Sequence, residues 1–281
     1  MKALPRKYSL AQLTVLHWSP PEMIYNARLI GYDAVGIRPI VMGVKGEHDF
    51  DLAKNKELFK LTEQAIQETG VVVNDIELAR IADGIDVGRY ESSFETAAKL
   101  GVKDVLSSIW TDKKDFYLEQ FAKLCGLAGQ YGLFVNLEFV TWAGVKNLKG
   151  ARDVLDAVKK PNAAIFVDTL HFHRSRVTLE ELDACSKDLF RFMHICDGPK
   201  EIPDESSPTC KEDLIHVGRD AREYVGEGAI DIAGIVKRLP DGILFSVELP
   251  HLEKAAKWGP VEHARRCLAT AKEYMKKHGI D

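Results

Sequence analysis

Short, almost uninterrupted apolar runs rich in Val, Ile, Leu and Phe recur every 25 to 50 residues along the chain, and segments with the periodicity of amphipathic helices separate them. The runs are YSLAQLTV (8–15), YDAVGIR (32–38), VVVNDIEL (71–78), VKDVLSSI (102–109), GLFVNLEFV (132–140), AAIFVD (163–168), LFRFMHIC (189–196) and GILFSVEL (242–249). A strand with one face in water alternates apolar and polar residues, so continuous runs predict parallel strands covered on both faces. Helix signals fill the gaps. SPPEMIYNARLIG opens on Ser19 and two prolines and stops at Gly31, and DLAKNKELFKLTEQAIQETG opens at Asp51 and stops at Gly70. TLEELDACSKD carries Thr178 and Glu181 at capping-box spacing. Glycines 31, 70 and 101 stand directly before the second to fourth runs, and Gly132 opens the fifth. Eight such units predict an α/β fold, a (β/α)₈ barrel forming one domain over residues 1–281. No G-x-G-x-x-G opens a helix to favour the rival, an open doubly wound sheet. The longest break in the rhythm, 197–231, is rich in Pro, Ser and acidic residues and reads as a functional loop.

In a barrel of this kind the chemistry sits at the carboxyl ends of the strands, which singles out the polar residues that terminate apolar runs. The fifth to eighth runs end in Glu138, Asp168, His194 and Glu248. Three carboxylates converging in a low-dielectric mouth repel one another and resist ionisation without a cation. Two Glu, one Asp and one His make an oxygen-rich set with a single imidazole, which predicts one divalent metal: Mn²⁺ or Mg²⁺ by donor type, with Co²⁺ or Zn²⁺ compatible.

Composition narrows the field without adding to the site. A net charge of −4 and a pI near 6.2 give no global footprint for nucleic acid. No signal-peptide core or membrane-spanning apolar stretch is evident, which predicts a cytoplasmic protein with no membrane association. Five scattered cysteines without a C-x-x-C pair read as reduced thiols.

The ordered set NLEF, VDTLH, MHICD, EYVGEGAID and SVELP resembles the xylose-isomerase-like TIM-barrel superfamily, which holds sugar isomerases and epimerases, inosose and dehydroshikimate dehydratases, and endonuclease-IV-type enzymes. The resemblance spans nearly the whole chain and implies that Glu138, Asp168, His194 and Glu248 bind one metal. It also implies that His171, in D-x-x-H, and Arg222, ahead of G-E-G-x-I-D, lie beside the substrate. The endonuclease branch has Asp-Arg-His ahead of that loop, whereas this chain has Asp220-Ala221-Arg222, and a guanidinium cannot ligate zinc. That departure counts against DNA repair. Members are often dimers or tetramers, so a homo-oligomer is an expectation of the resemblance alone.

The activity implied is a metal-dependent sugar or sugar-acid isomerase or epimerase acting on a small polyhydroxy carbonyl substrate. The metal grips a hydroxyl and a carbonyl oxygen while a proton leaves the adjacent carbon to give an enediolate. Glu138 and Glu248 are the catalytic acid and base, and His171 is an acid or a hydroxyl-orienting donor. The alternative is a lyase sharing the metal and the enolate: a dehydratase of the inosose or dehydroshikimate kind, a decarboxylase or a C-glycoside deglycosidase. Further off stand a phosphodiester hydrolase and a barrel that binds without turnover. Residues near the first four strands, His17, Arg38, Asp75, Glu77 and Trp110, shape the pocket, with His17, Arg38 and Trp110 as substrate contacts. Arg38 has two readings, a bidentate clamp on a carboxylate or phosphate and a salt bridge to Asp75 or Glu77. Trp142 either stacks on a sugar ring or packs on the barrel rim. Cys196 is a buried thiol on the strand face of His194, His173 a hydrogen-bonding support for a carboxylate or loop carbonyl, and His48 and His263 surface residues.

Overall fold

The computed structural model describes residues 6–44 and 46–280. Every apolar run holds a strand, the third of which continues three residues past its run, and each pairs in parallel with the next: β1 (Tyr8–Ala11), β2 (Ala34–Ile37), β3 (Val72–Ile81), β4 (Asp104–Ile109), β5 (Phe134–Glu138), β6 (Ala163–Asp168), β7 (Phe190–Ile195) and β8 (Leu244–Val247). Tyr8 in register with Phe245 closes the barrel. The helices are α1 (Pro20–Ile30), α2 (Lys56–Thr69), α3 (Glu91–Lys99), α4 (Lys114–Gln130), α5 (Leu148–Val158), α6 (Thr169–Arg174), α7 (Leu179–Asp183), α8 (Cys210–Asp220), α9 (Ile232–Val236), α10 (Leu252–Trp258) and α11 (Pro260–Lys277). Among the described residues no helix is long and apolar enough to cross a membrane.

Strand alternation sorts the side chains into two environments. Val135 and Leu137 of β5, Ile165 and Val167 of β6, Met193 and Ile195 of β7, and Phe245 and Val247 of β8 point outward into the main core under the helices. Their neighbours point inward, where Leu106, Phe166 and Phe192 form a small apolar plug with Leu78. A register shift between Ile76 and Ala79 brings Leu78 into this plug while its neighbour Glu77 lines the mouth. Gly36 is required on β2, because a Cβ there would stand 2.8 Å from Oδ2 of Asp75.

The capping boxes at Ser19 and Thr178 form, and the α1 and α2 stops hold: Gly31 and Gly70 adopt positive φ and donate to the carbonyls of Ala27 and Ile66. Two further boundaries show why local signals mislead. The first strand ends at Ala11 and the chain turns through 3-10 geometry over Gln12–Val15, held by Gln12 Nε2 donating to the Trp18 carbonyl and Thr14 Oγ1 donating to Val247. Asp51 does not open α2; it closes a local turn by accepting from the amides of Ala53 and Lys54, and Asn55 caps the helix through the Leu58 amide. The 197–231 break contains α8, and Asp197 organises it by accepting amides from Gly198, Gly226 and Ile230.

Candidate active site

The inward alternation carries past the plug to the carboxyl ends of the strands. Two residues beyond inward-facing Gly36, Asp75, Asn136, Phe166, Phe192 and Ser246 stand Arg38, Glu77, Glu138, Asp168, His194 and Glu248, all buried. Arg38, Glu77, Glu138 and Glu248 line a mouth cavity of about 60 Å³ together with Trp110, Trp142, His171, Arg219 and Arg222.

Two cations knit the carboxylates together. Arg222 places Nη1 2.6 Å from Asp168 Oδ2 and Nη2 2.8 Å from Glu248 Oε2, while its Nε donates to the Gly218 carbonyl at 2.8 Å. Arg38 reaches Glu77 Oε2 at 3.1 Å and Glu47 Oε1 at 3.5 Å. His194, wholly buried, has Nδ1 3.3 Å from Glu248 and 3.7 Å from Asp168, and Nε2 3.8 Å from Glu77. Neither of its ring nitrogens is hydrogen-bonded. Asp168 doubles as the N-cap of α6, its Oδ1 accepting from Leu170 and His171.

The four expected ligands thus share one mouth, but they do not form one cluster. Ligand atoms of Glu77, His194 and Glu248 lie within 4.8 Å of one another, as do those of Glu138, Asp168 and His171. The Arg222 guanidinium joins the two groups by pairing Asp168 with Glu248. The repulsion attributed to an uncompensated carboxylate cluster is therefore met in part by Arg222 and Arg38, which single-strand reading could not place together. What stays unsatisfied is specific: the Glu138 carboxyl has no ion pair or hydrogen bond among the described residues, Glu77 Oε1 has no hydrogen-bond donor, and His194 has carboxylates near both nitrogens but a hydrogen bond on neither.

Proton affinities follow from this layout. Burial pushes Glu138 well above the carboxylate range, and Asp168 and Glu248 reinforce it. Glu248 is also buried, yet His194 and Arg222 hold it well below that range. His194 is raised to about 10 because Glu248, Glu77 and Asp168 outweigh burial. Burial raises Glu77 to about 7 against the pull of Arg38, and lowers His171 to about 4, leaving a neutral imidazole.

The remaining expectations divide. Trp110 lines the mouth, its Nε1 donating to Ser108 Oγ at 2.7 Å. His171 lines it too, with Thr141 Oγ1 3.3 Å from Nδ1 and the Trp142 ring edge-on at 4.8 Å. Trp142 also packs over α8 at Gly218, where a Cβ would stand 2.4 Å from the indole. Arg38 has the salt bridge to Glu77 and still lines the mouth. His17 is a correction: it is exposed and faces His48 at 3.3 Å, because the chain has already turned away from β1 at Gln12. His263 is the opposite correction, fully buried between Tyr224 Oη and the Leu249 carbonyl, both at 2.9 Å. His173 takes the loop-carbonyl alternative, hydrogen-bonding the Lys200 backbone, and its Nε2 has no partner. Cys196 is buried 3.4 Å from Arg222 Nη1, and burial raises its thiol to about 12. Sequence reading missed Arg219, whose only signal is its place one turn before Arg222 on the last turn of α8.

Residues 24–278 match the family of xylose isomerase-like TIM barrels. An inosose isomerase of Bacillus velezensis is 27% identical over 176 residues, covering 58% of this chain and 59% of that protein, and one of Bacillus licheniformis is 27% identical over 202 residues, covering 66% of each. The chain therefore spans about three fifths to two thirds of the length of these relatives. Among solved structures, the IolI protein with a zinc atom superposes with a TM-score of 0.79 at 21% identity, over 97% of this chain and 99% of that one.

Proposed function

Since the chain belongs to the xylose isomerase-like TIM-barrel family, we propose that it is a divalent-metal-dependent isomerase or epimerase of a sugar or sugar acid, working by proton transfer at a carbon next to a carbonyl. One observation carries the reading: a fully buried imidazole with no hydrogen bond on either nitrogen, faced by Glu77, Asp168 and Glu248. Buried polar groups without hydrogen bonds are rare in folded proteins, and a cation among these atoms would occupy one of the two nitrogens and leave the other to a neighbouring carboxylate. The donor set fits. Glu138, Asp168, His194 and Glu248 would hold the ion if the two groups, Glu77 with His194 and Glu248 and Glu138 with Asp168 and His171, draw together on it, and the arginine-bonded carboxylates keep lone pairs for it, since a carboxylate has about four acceptor sites. Relatives named for inosose isomerisation support the same class.

When bound, a divalent ion supplies positive charge to a substrate carbonyl and its neighbouring hydroxyl oxygen. The rest falls to the chain. Glu138 on β5 and Glu248 just beyond β8 face the mouth from strands three apart, so their carboxyl oxygens can address two faces of one carbon, which epimerisation requires. Neutral His171 can bond a substrate hydroxyl through Nε2 while Nδ1 is held by Thr141. Trp110 and Trp142 wall the mouth and restrict water.

The test uses protein stripped of metal and reloaded with Mn²⁺ or Zn²⁺, incubated in D₂O with panels of ketoses, inososes and keto sugar acids. Solvent deuterium should appear beside the carbonyl of an isomeric product, and both chelation and Glu248→Gln should abolish it. Loss of water from the product would instead assign a lyase. No exchange with any panel member would remove the reading.

A further inference from the structure

Beside the mouth lies a cleft about ten times larger, of about 600 Å³ against about 60 Å³, with Trp110 and Trp142 in the walls of both. Thr141, which holds His171, lines the cleft as well. Four basic side chains line it, Lys146, Arg174, Arg176 and Lys211, against two acidic ones, Asp112 and Glu205.

Arg174 distinguishes this cleft from an ordinary charged rim. It is only 4% exposed, its Nη1 donates to the Glu201 carbonyl, and its Nε has no partner. No carboxylate lies within ion-pair distance of it among the described residues, whereas Arg38 and Arg222, equally buried, are both paired with carboxylates. The Glu201 carboxylate attracts Arg174 only from beyond that distance; burying a guanidinium without a close anion is costly, and such a group in a cavity wall is a ready partner for an anion that enters. Lys146, Arg176 and Lys211 are exposed and add a field that draws anions inward.

We propose that this cleft receives an anionic group, a carboxylate or a phosphate, carried by the substrate whose carbonyl end occupies the mouth. The inference rests on the sugar isomerase reading for the identity of the carbonyl end, but the anion site itself does not. It narrows the substrate class from neutral sugars to sugar acids or sugar phosphates. Arg174 makes the direct contact, and the lysines and Arg176 supply attraction from the rim.

Isothermal titration of the full chain with inorganic phosphate, D-fructose, D-fructose 6-phosphate and D-fructuronate tests it. Phosphate should bind saturably, and an anionic ketose should bind about tenfold or more tighter than fructose, as a charged hydrogen bond predicts. The advantage should shrink as salt is raised from about 20 to about 200 mM. Preference for fructose 6-phosphate identifies a phosphate site, and preference for fructuronate a carboxylate site. Arg174→Met should abolish the discrimination. The Lys146→Glu/Lys211→Glu double variant changes only exposed side chains, so it should fold normally and weaken anionic ligands severalfold without altering fructose binding. Equal binding of fructose and both anionic ketoses, absence of saturable phosphate binding, or indifference to the lysine reversals would each overturn the proposal. Arg174-dependent phosphate binding without deuterium exchange on any sugar would keep the anion site and discard the isomerase. Exchange on neutral ketoses with no response to phosphate would do the reverse.

Discussion

Replacing Arg222 with methionine removes the guanidinium that pairs Asp168 with Glu248 and leaves His194 between them at 3.7 and 3.3 Å, and the structure sets the size of the effect. The guanidinium is 2% exposed, and it makes two carboxylate contacts of 2.6 and 2.8 Å and a carbonyl bond of 2.8 Å. Taking one partner from a buried ion pair costs about 3–5 kcal/mol, because the remaining charge is left desolvated and unpaired. Two carboxylates lose the guanidinium here but keep His194, so metal-free Arg222→Met should fall at the lower end of that range, about 3 kcal/mol. A divalent ion changes the balance. At a hundred times its dissociation constant a ligand stabilises the native state by about 2.7 kcal/mol, and Arg222 competes with any such ion for Asp168 and Glu248. Urea unfolding with and without Mn²⁺ should therefore show a larger metal-induced gain in the variant than in the parent. Adding Asp168→Asn to Arg222→Met should recover stability in the metal-free protein, with a coupling of at least about 1 kcal/mol. The reasoning fails if metal-free Arg222→Met loses less than about 1 kcal/mol, or if Mn²⁺ stabilises it no more than the parent.

Two further outcomes follow from burial. His171 titrates near 4 when folded and near 6.5 when unfolded, so the unfolded chain binds the extra proton between those values; stability is full above about 6.5 and falls by up to about 3 kcal/mol as pH drops toward 4. His171→Asn should flatten that slope in denaturation curves at stepped pH, and an unchanged slope would contradict the assignment. Burial raises the thiols of Cys125 and Cys196 to about 12 and also raises that of Cys267, while Cys185 and Cys210 are partly exposed. At pH 8 a thiol reagent should label Cys185 and Cys210 in the native protein and reach the other three only in denaturant; native labelling of Cys196 in peptide maps would contradict the packing.

Alternation along single strands was enough to find most of the mouth. Glu138, Asp168, His194 and Glu248 each follow an apolar stretch by a spacing that points them inward, and a parallel barrel leaves only one end for such residues to meet. Caps were readable where the side chain bonds within its own turn, as at Ser19 and Thr178, and misread at Asp51, where an equally local bond closed a turn instead. His17 and His263 were misplaced because burial of a histidine depends on what packs over it: the first lies past an early turn, and the second is covered by Tyr224, 39 residues distant.

Local periodicity thus determined the barrel and the list of acids at its mouth, since both depend on spacings within one strand. The closure of Arg222 on Asp168 and Glu248, 54 and 26 residues away, was decided by three-dimensional packing, as was the burial of Arg174 in the side cleft without a carboxylate. Coulomb energy depends on distance and desolvation, and neither exists until separate strands and loops have been brought together.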